Sequence, residues 1–114
     1  MKIQNKTRKM LLSEDATLCS TLWQKARGLM FRPQQDLIFV EKEESRIALH
    51  MWFVFYPIDV IYCDASFRVV EMKRNFMPWS FYSPSQKAMY VLELKEGTVE
   101  KTNTEINDLL AFVL

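Results

Sequence analysis

The sequence is poor in the residues from which most small binding motifs are built. Gly28 and Gly97 are its only two glycines in 114 residues, so the common glycine-rich loops that bind nucleotide phosphates are excluded. His50 is its one histidine, and Cys19 and Cys63 are its two cysteines. No pair of these residues has the spacing of a zinc-binding motif, so we expect no metal site and no cofactor.

Two cysteines are also too few to hold a fold together by disulfide bonds. We expect Cys19 and Cys63 to be free thiols, which is typical of proteins in a reducing compartment. Residues 1–9 carry several basic side chains, but no apolar segment of signal-peptide length follows them before Ser13. The sequence therefore predicts an intracellular, cytoplasmic protein.

Neither sign of charge dominates the chain. Fifteen Lys and Arg residues face fourteen Asp and Glu residues, which gives a net charge of +1. Such a balance supplies no overall attraction to nucleic acid or to an anionic membrane. A nucleic-acid partner is the least favoured, since it would require the basic N-terminus to join Arg68, Lys73 and Arg74 on one face.

The longest apolar stretch runs from His50 to Asp64 and does not predict a membrane span. A span needs about 20 uninterrupted apolar residues, whereas Pro57 and Asp59 interrupt this stretch. Aromatic and β-branched residues dominate it, and proline is confined to strand starts, edges and bulges. Two buried strands on either side of Pro57 are therefore the better interpretation.

The length and composition predict a single domain over residues 1–114. With 49% hydrophobic residues, the chain can bury the core of one domain but is too short for two. We predict an α+β fold in which a mainly antiparallel sheet curls into a small barrel with one short α-helix. The predicted strands are residues 7–12, 16–19, 36–40, 46–55, 58–63, 67–75, 88–94 and 108–114.

The segments between these strands carry turn, loop and helix signals. The chain is expected to open with a hairpin of the first two strands or with a single strand. The charged residues 41–44 are expected to form an exposed loop, and residues 97–101 a helical turn. The three consecutive strands from residue 46 to residue 75 predict an antiparallel meander. Thr21 and Gln24 have the spacing of a helix capping box and Gly28 suits a left-handed C-terminal residue, so we predict a helix over residues 22–27.

Residues 77–84 contain two prolines and three aromatic residues and predict an ordered surface loop. The aromatic side chains of this loop, Trp79, Phe81 and Tyr82, are expected to pack against other apolar groups. One interpretation is an ordinary core contact, and the other is an apolar groove for a small molecule or an extended peptide.

Several short motifs, in this order, resemble the family called domain of unknown function 192. They are the Ala-Arg-Gly-Leu-Met-Phe-Arg run ending at Arg32, Pro57-Ile58-Asp59, Met77-Pro78-Trp79 and Tyr90-Val91-Leu92-Glu93-Leu94. The resemblance spans about residues 21–110 and implies a compact, mainly β domain with no established activity. Where many members read Trp-Met-Lys-Asn-Thr, this chain reads His50-Met51-Trp52-Phe53-Val54, so the polar Lys-Asn-Thr side chains are absent.

The charged residues of these motifs are candidates for a site. An acid in a buried strand is costly unless it is paired or hydrogen-bonded, which makes Asp59 and Glu93 notable. Arg27 and Arg32 are the candidate partners for these acids, because a guanidinium group can form a bidentate pair with a carboxylate. Such pairs would form a structural clamp, or one arginine would be free to bind an anionic ligand.

Two classes of function remain open at this point. The leading one is a non-catalytic binding module for a small anionic ligand or a protein or peptide partner, with Arg27, Arg32, Trp79 and Tyr82 at its contact surface. The alternative is a small hydrolase or acid-base enzyme that uses His50 with Asp59 or Glu93. A lone histidine in an apolar run is more often a core or edge residue, and nothing in the spacing supports a cysteine nucleophile.

Overall fold

The protein is mostly β-structure, with one short helix among the residues that the structure describes. The computed structural model describes residues 1–21, 24 and 27–114. Their elements are β1 Lys2–Asn5, β2 Met10–Ser13, β3 Ala16–Cys19, β4 Asp36–Ser45, β5 Leu49–His50, β6 Ile58–Cys63, β7 Val69–Phe76, β8 Phe81–Tyr82, β9 Ala88–Lys95, α1 Thr98–Thr102 and β10 Leu110–Val113. Within that part of the chain, no helix is both long and apolar enough to cross a membrane.

A five-stranded sheet forms the centre of the fold, in the order β3-β4-β9-β6-β7. All six residues of β6 are buried, because the strand lies between β9 and β7 and is covered on both faces. A continuous run of apolar and β-branched residues is typical of such a strand. The predicted bounds of this strand, residues 58–63, are confirmed.

Two smaller sheets complete the described β-structure, one in the order β10-β1-β2 and one made of β5 and β8. Most of the strand pairs are antiparallel, and β3 with β4 is a parallel pair. The predicted mainly antiparallel α+β class is thereby confirmed. The pairings of the described residues do not close into a ring, so the barrel expected from the sequence stays a prediction.

Both alternatives predicted for the N-terminus, a hairpin of residues 7–12 and 16–19 or a single strand, are wrong. β2 pairs with β1, a strand that the sequence analysis missed, and β3 instead pairs in parallel with β4. A parallel pair needs a long crossover connection, and residues 20–35 provide it. The short strands near the N-terminus have too few apolar residues to indicate their partners.

The predicted meander is confirmed where β6 pairs antiparallel with β7, but its first strand is wrong, because residues 46–55 are mostly loop. Only Leu49–His50 is a strand, and it pairs with β8 instead of β6. The charged residues 41–44 were expected to form a loop but belong to β4. The pairing of β4 with β9 is irregular between Val40 and Ser45, which leaves Lys42, Glu43 and Glu44 exposed.

The capping box predicted at the start of the crossover is confirmed. The backbone N–H of Gln24 donates to Oγ1 of Thr21 at 3.1 Å, and the Thr21 N–H donates to Oε1 of Gln24 at 3.2 Å. Gly28 has the left-handed φ of 48° that its position required. The predicted helix over residues 22–27 includes Leu22, Trp23, Lys25 and Ala26, which lie outside the described residues.

The side chains of the central sheet alternate between two buried clusters. One face carries Leu37, Val60 and Val91, and the other carries Ile61 and Leu92. Successive residues of a strand point to opposite faces, so the position of each charged residue in β6 and β9 decides which cluster it meets.

Candidate functional site

Glu93 lies in the middle of the central sheet and is almost entirely buried. It pairs with Leu37 of β4 on one side and with Val60 of β6 on the other. Its side chain is 6% exposed. A buried carboxyl group is costly unless it is hydrogen-bonded or paired with a cation.

No hydrogen bond or ion pair joins the Glu93 carboxyl to another residue that the structure describes. Burial raises its pKa to about 7 from the ordinary 4.5. Desolvation disfavours the charged form of an acid, and no described cation offsets that effect. Near neutral pH the group is therefore divided between its protonated and ionised forms.

Glu93 faces a small cavity of about 170 Å³. The wall is mostly apolar, and the polar groups that reach it include Arg27, His50 and Glu93. The structure thus brings three of the predicted site residues to one cavity. The other lining residues are Gly28, Leu29, Met30, Phe39, Glu41, Ile47, Ala48, Leu49, Met51 and Val54.

The charge of Glu93 is felt by two neighbouring groups on the same side of the sheet. The pKa of the Cys19 thiol and that of the Tyr56 hydroxyl are both raised, mainly by burial and to a smaller extent by the negative charge of Glu93. The positive charge of Arg32 lowers both pKa values. Cys19 therefore stays protonated at neutral pH and is a poor nucleophile.

His50 lies at the exposed end of β5. Its Nδ1 accepts a hydrogen bond of 3.3 Å from the backbone N–H of Trp52, and its ring lies 6.2 Å from the Trp52 ring. In the described part of the chain, the imidazole has no hydrogen bond to a carboxylate. The contact required for an oriented histidine base is absent from this arrangement.

The predicted clamp between an arginine and a buried acid is not formed. Nη1 of Arg32 donates to the backbone carbonyl of Gly28 at 3.3 Å, and the Arg32 carbonyl accepts from the Tyr56 hydroxyl at 3.0 Å. Among the described residues, neither Arg27 nor Arg32 forms an ion pair with Asp59 or Glu93. The Arg27 side chain is exposed, at the cavity.

Asp59 does not belong to the cavity. Its Oδ1 accepts from the backbone N–H of Asn75 at 3.0 Å, and its Oδ2 accepts from that of Val99 at 2.9 Å. These bonds satisfy the buried carboxylate and attach the first turn of α1 to the sheet. The expectation that Asp59 pairs with an arginine is therefore wrong, because backbone donors take both oxygens.

Exposed aromatic rings form a continuous surface beside this region. Phe53 stacks on Phe31 at 4.6 Å and meets Trp79 edge to face at 5.1 Å, and Trp79 also lies 5.9 Å from Phe55 and 6.3 Å from Trp52. All five side chains are exposed, Phe31 to 67%. We call these five residues the aromatic surface.

Backbone hydrogen bonds join the three segments that carry the aromatic surface. The Phe31 N–H donates to the Phe53 carbonyl at 2.9 Å, and the Trp79 N–H donates to the Met51 carbonyl at 2.9 Å. Phe31, Phe53 and Trp79 all have left-handed φ angles, of 56°, 61° and 64°. This conformation is unfavourable for bulky residues, so the surrounding contacts hold the rings in place at a cost in energy.

Trp79 and Tyr82 were predicted to share one contact surface, and the structure separates them. The Tyr82 hydroxyl donates a short hydrogen bond to Oε2 of Glu71, and its ring lies 6.1 Å from Tyr62 and 6.2 Å from Phe76. Burial and the bond to Glu71 raise the pKa of Tyr82 to about 12. Tyr82 thus packs on the core, while Trp79 belongs to the aromatic surface.

Comparison with known proteins identifies the family to which this chain belongs. The family profile of DUF192, described as an uncharacterized ACR, matches residues 3–112. This chain belongs to the domain of unknown function 192 family. A UPF0127 protein of Thermococcus sibiricus is 36% identical over 108 residues, covering 91% of this chain and 70% of the relative. A UPF0127 protein of Pyrococcus horikoshii is 32% identical over 109 residues, covering 93% of this chain and 94% of the relative.

Crystal structures of two distant proteins have the same fold as this DUF192 chain. One is a protein of unknown function from Novosphingobium aromaticivorans, with a TM-score of 0.84 and 20% identity over 97% of this chain and 82% of that chain. The other, a proposed transcription regulator from Sinorhizobium meliloti, has a TM-score of 0.85 and 22% identity over 96% of this chain and 89% of that chain. The resemblance found in the sequence motifs is confirmed by the family match.

Proposed function

We propose that this DUF192 protein is a small-ligand-binding module that takes the carboxylate group of a small anion into the cavity at Glu93. The observation that supports this proposal is a buried carboxyl group that faces a cavity and lacks a partner among the described residues. Such a group is costly in the free protein and gains a hydrogen bond when a ligand fills the cavity.

Two groups of the cavity lining suit an anion, while Glu41 adds a carboxylate to the same lining. Protonated Glu93 donates a hydrogen bond to a ligand carboxylate, and Arg27 at the same cavity contributes positive charge. The bound anion disfavours ionisation of Glu93, so the complex binds a proton more tightly than the free protein does. A cavity of about 170 Å³ is close in size to one that holds benzene, which limits the buried group to roughly that size.

A calorimetric titration with acetate, propionate and benzoate at pH 6 and pH 8 tests this proposal. We expect binding at pH 6, weaker binding at pH 8, and proton uptake that appears as a dependence of the heat on the buffer. Glu93→Gln, which keeps a hydrogen-bond donor but cannot titrate, should remove the pH dependence. Glu96→Gln changes an exposed carboxylate close to the end of β9 and is the matched control.

Three outcomes would count against an anionic ligand in this cavity. The first is tighter binding of the carboxylates at pH 8 than at pH 6. The second is an equal effect of the Glu93→Gln and Glu96→Gln variants. The third is binding of ethylammonium in place of the carboxylates, which would assign Glu93 to a cationic ligand.

An acid-base enzyme is the second candidate, and one observation favours it. The pKa of Glu93, about 7, suits a group that exchanges protons at neutral pH, and His50 lines the same cavity. Turnover of small ester substrates by the wild-type protein, lost in both Glu93→Gln and His50→Gln, would support catalysis. Retention of carboxylate binding without any turnover supports the binding module.

We also propose that the protein works in the cytoplasm. Cys19 and Cys63 are both free and buried, which agrees with folding in a reducing compartment. Cell fractionation with an antibody against the chain is the direct test. Recovery in an extracellular fraction would contradict this part of the proposal.

A further inference from the structure

The aromatic surface is as large as the largest exposed apolar patch of a typical monomer. Its five rings are between 41% and 67% exposed, which corresponds to roughly 500 Å² of accessible surface at about 200 Å² per ring. The largest apolar patch of a typical monomer is about 300–600 Å² and is often functional. We propose that the aromatic surface docks this protein onto an anionic lipid surface.

The charge of the three segments that carry the rings supports a lipid partner. Residues 28–35, 50–58 and 76–84 contain no Asp or Glu, although the chain has 14 acidic residues. Arg32 follows Phe31 directly and is the one Lys or Arg of the three segments. The segments thus carry one cation and no acidic residue, which suits contact with a negatively charged surface.

The rings are also the residue types that suit the boundary between lipid and water. Trp and Phe insert at the level of the head groups, and Trp52 and Trp79 keep an indole N–H for polar partners there. The left-handed backbone at Phe31, Phe53 and Trp79 is unfavourable for such side chains. Energy spent on holding aromatic rings in solvent points to a role for the exposed rings themselves.

A lipid surface fits these observations better than a second copy of the chain. A two-fold symmetric contact brings the same surface of both copies together, so Arg32 would find no carboxylate in the three segments of the other copy. The rings also supply roughly 500 Å² per copy, whereas a stable interface needs about 800 Å² per partner. An anionic bilayer supplies the missing negative charge and does not require a matching shape.

Sedimentation with lipid vesicles tests the proposal. The full chain is mixed with vesicles of phosphatidylcholine alone and of phosphatidylcholine with phosphatidylglycerol. We expect binding to the anionic vesicles, weaker binding to the neutral ones, and weakening by salt because charge contributes. Trp79→Asn and Phe55→Ser should each weaken binding about tenfold, since each removes a ring that lipid would cover.

The matched control is Ile106→Ser, which removes an exposed apolar side chain outside the three segments. It should leave vesicle binding unchanged. Asn tolerates the left-handed backbone at Trp79, so Trp79→Asn should also keep the fold, which the dispersion of its amide NMR spectrum reports. A second variant, Phe55→Ser, lies at a residue without left-handed φ and repeats the test independently.

The proposal is overturned if the wild-type chain stays in the supernatant with anionic vesicles. It is also overturned if Ile106→Ser weakens binding as much as Trp79→Asn does. A dimer that forms at increasing concentration in sedimentation equilibrium and is lost in Trp79→Asn, without vesicle binding, would assign the aromatic surface to a second copy instead.

Discussion

Asp59 and Glu93 lie on opposite faces of the central sheet, because the register of β6 and β9 pairs Glu93 with Val60 and Asp59 with Leu94. A shift of one residue along a strand moves a side chain to the other face. Asp59 therefore meets backbone donors near α1, whereas Glu93 meets the cavity. Two buried acids in neighbouring strands thus have different surroundings, backbone donors at Asp59 and a cavity at Glu93.

Replacement of Asp59 by Ala should destabilise the fold. The backbone N–H groups of Asn75 and Val99 would lose their acceptor, and unsatisfied donors together with lost charged hydrogen bonds cost about 2–4 kcal/mol. Urea unfolding measures this change. Asp15→Asn, at a side chain that is 98% exposed, should change the free energy of unfolding little, and an equal effect of both variants would contradict the anchoring role of Asp59.

Replacement of Glu93 by Gln should stabilise the protein in alkaline solution. The pKa of Glu93 is raised from 4.5 to about 7 in the folded protein, so the folded state holds a proton that the unfolded state releases. The free energy of unfolding should therefore fall as the pH rises from about 4.5 to 7. The full loss is about 3 kcal/mol above that range, at 1.36 kcal/mol for each pKa unit.

The Glu93→Gln variant should lack this decrease and match the wild type near pH 4. Urea unfolding at pH 5, 6, 7 and 8 gives the two curves. Parallel curves across this range would show that Glu93 ionises as freely in the folded protein as in the unfolded chain.

Asp108 should stabilise the fold in the opposite pH range. Burial alone would raise its pKa, but hydrogen bonds from Arg8, Asn5 and the backbone N–H of Glu105 lower the pKa below the ordinary 3.8. Stability from this group is present above pH 3.8 and is lost as the pH falls through the lower pKa of the folded state. Asp108→Asn should reduce stability at pH 6 and flatten its loss between pH 4 and pH 2, measured by thermal unfolding.

Replacement of Phe31 by Asn should change stability little, although a large ring is removed. The ring is 67% exposed and stacks on Phe53, and Asn tolerates the left-handed φ of 56° better than Phe does. The lost contact and the relieved backbone should nearly cancel, within about 1 kcal/mol. Phe76→Ala, in the core, should cost about 3–5 kcal/mol in the same assay, and a similar loss for Phe31→Asn would show that its ring supports the fold.

The parts of the fold that the sequence predicted are those with a local chemical signal. Ile58–Cys63 is apolar throughout, which is typical of a strand covered on both faces. Thr21 and Gln24 satisfy each other's backbone donors, so their spacing alone was enough to predict the capping box. Gly97, which precedes α1, has a positive φ that glycine permits.

The parts that could not be predicted depend on distant partners. Residues 46–55 have the composition of a strand, but Phe53 has a left-handed φ. That conformation is predictable from sequence mainly where glycine or asparagine occurs, and a phenylalanine gives no such signal. The aromatic surface therefore escaped the sequence analysis except for Trp79. The separation of Asp59 from Glu93 depends on the register of two strands more than 20 residues apart, which neither strand specifies alone.

The cavity and the aromatic surface are built from neighbouring residues of the chain. Leu29, Met30, Met51 and Val54 line the cavity, and the residues next to them in the chain, Phe31, Trp52, Phe53 and Phe55, form the aromatic surface. By thermodynamic linkage, any factor by which an occupied cavity changes the affinity for lipid equals the factor by which lipid changes the affinity for the cavity ligand. A titration of either partner in the presence of the other would read out the same coupling free energy.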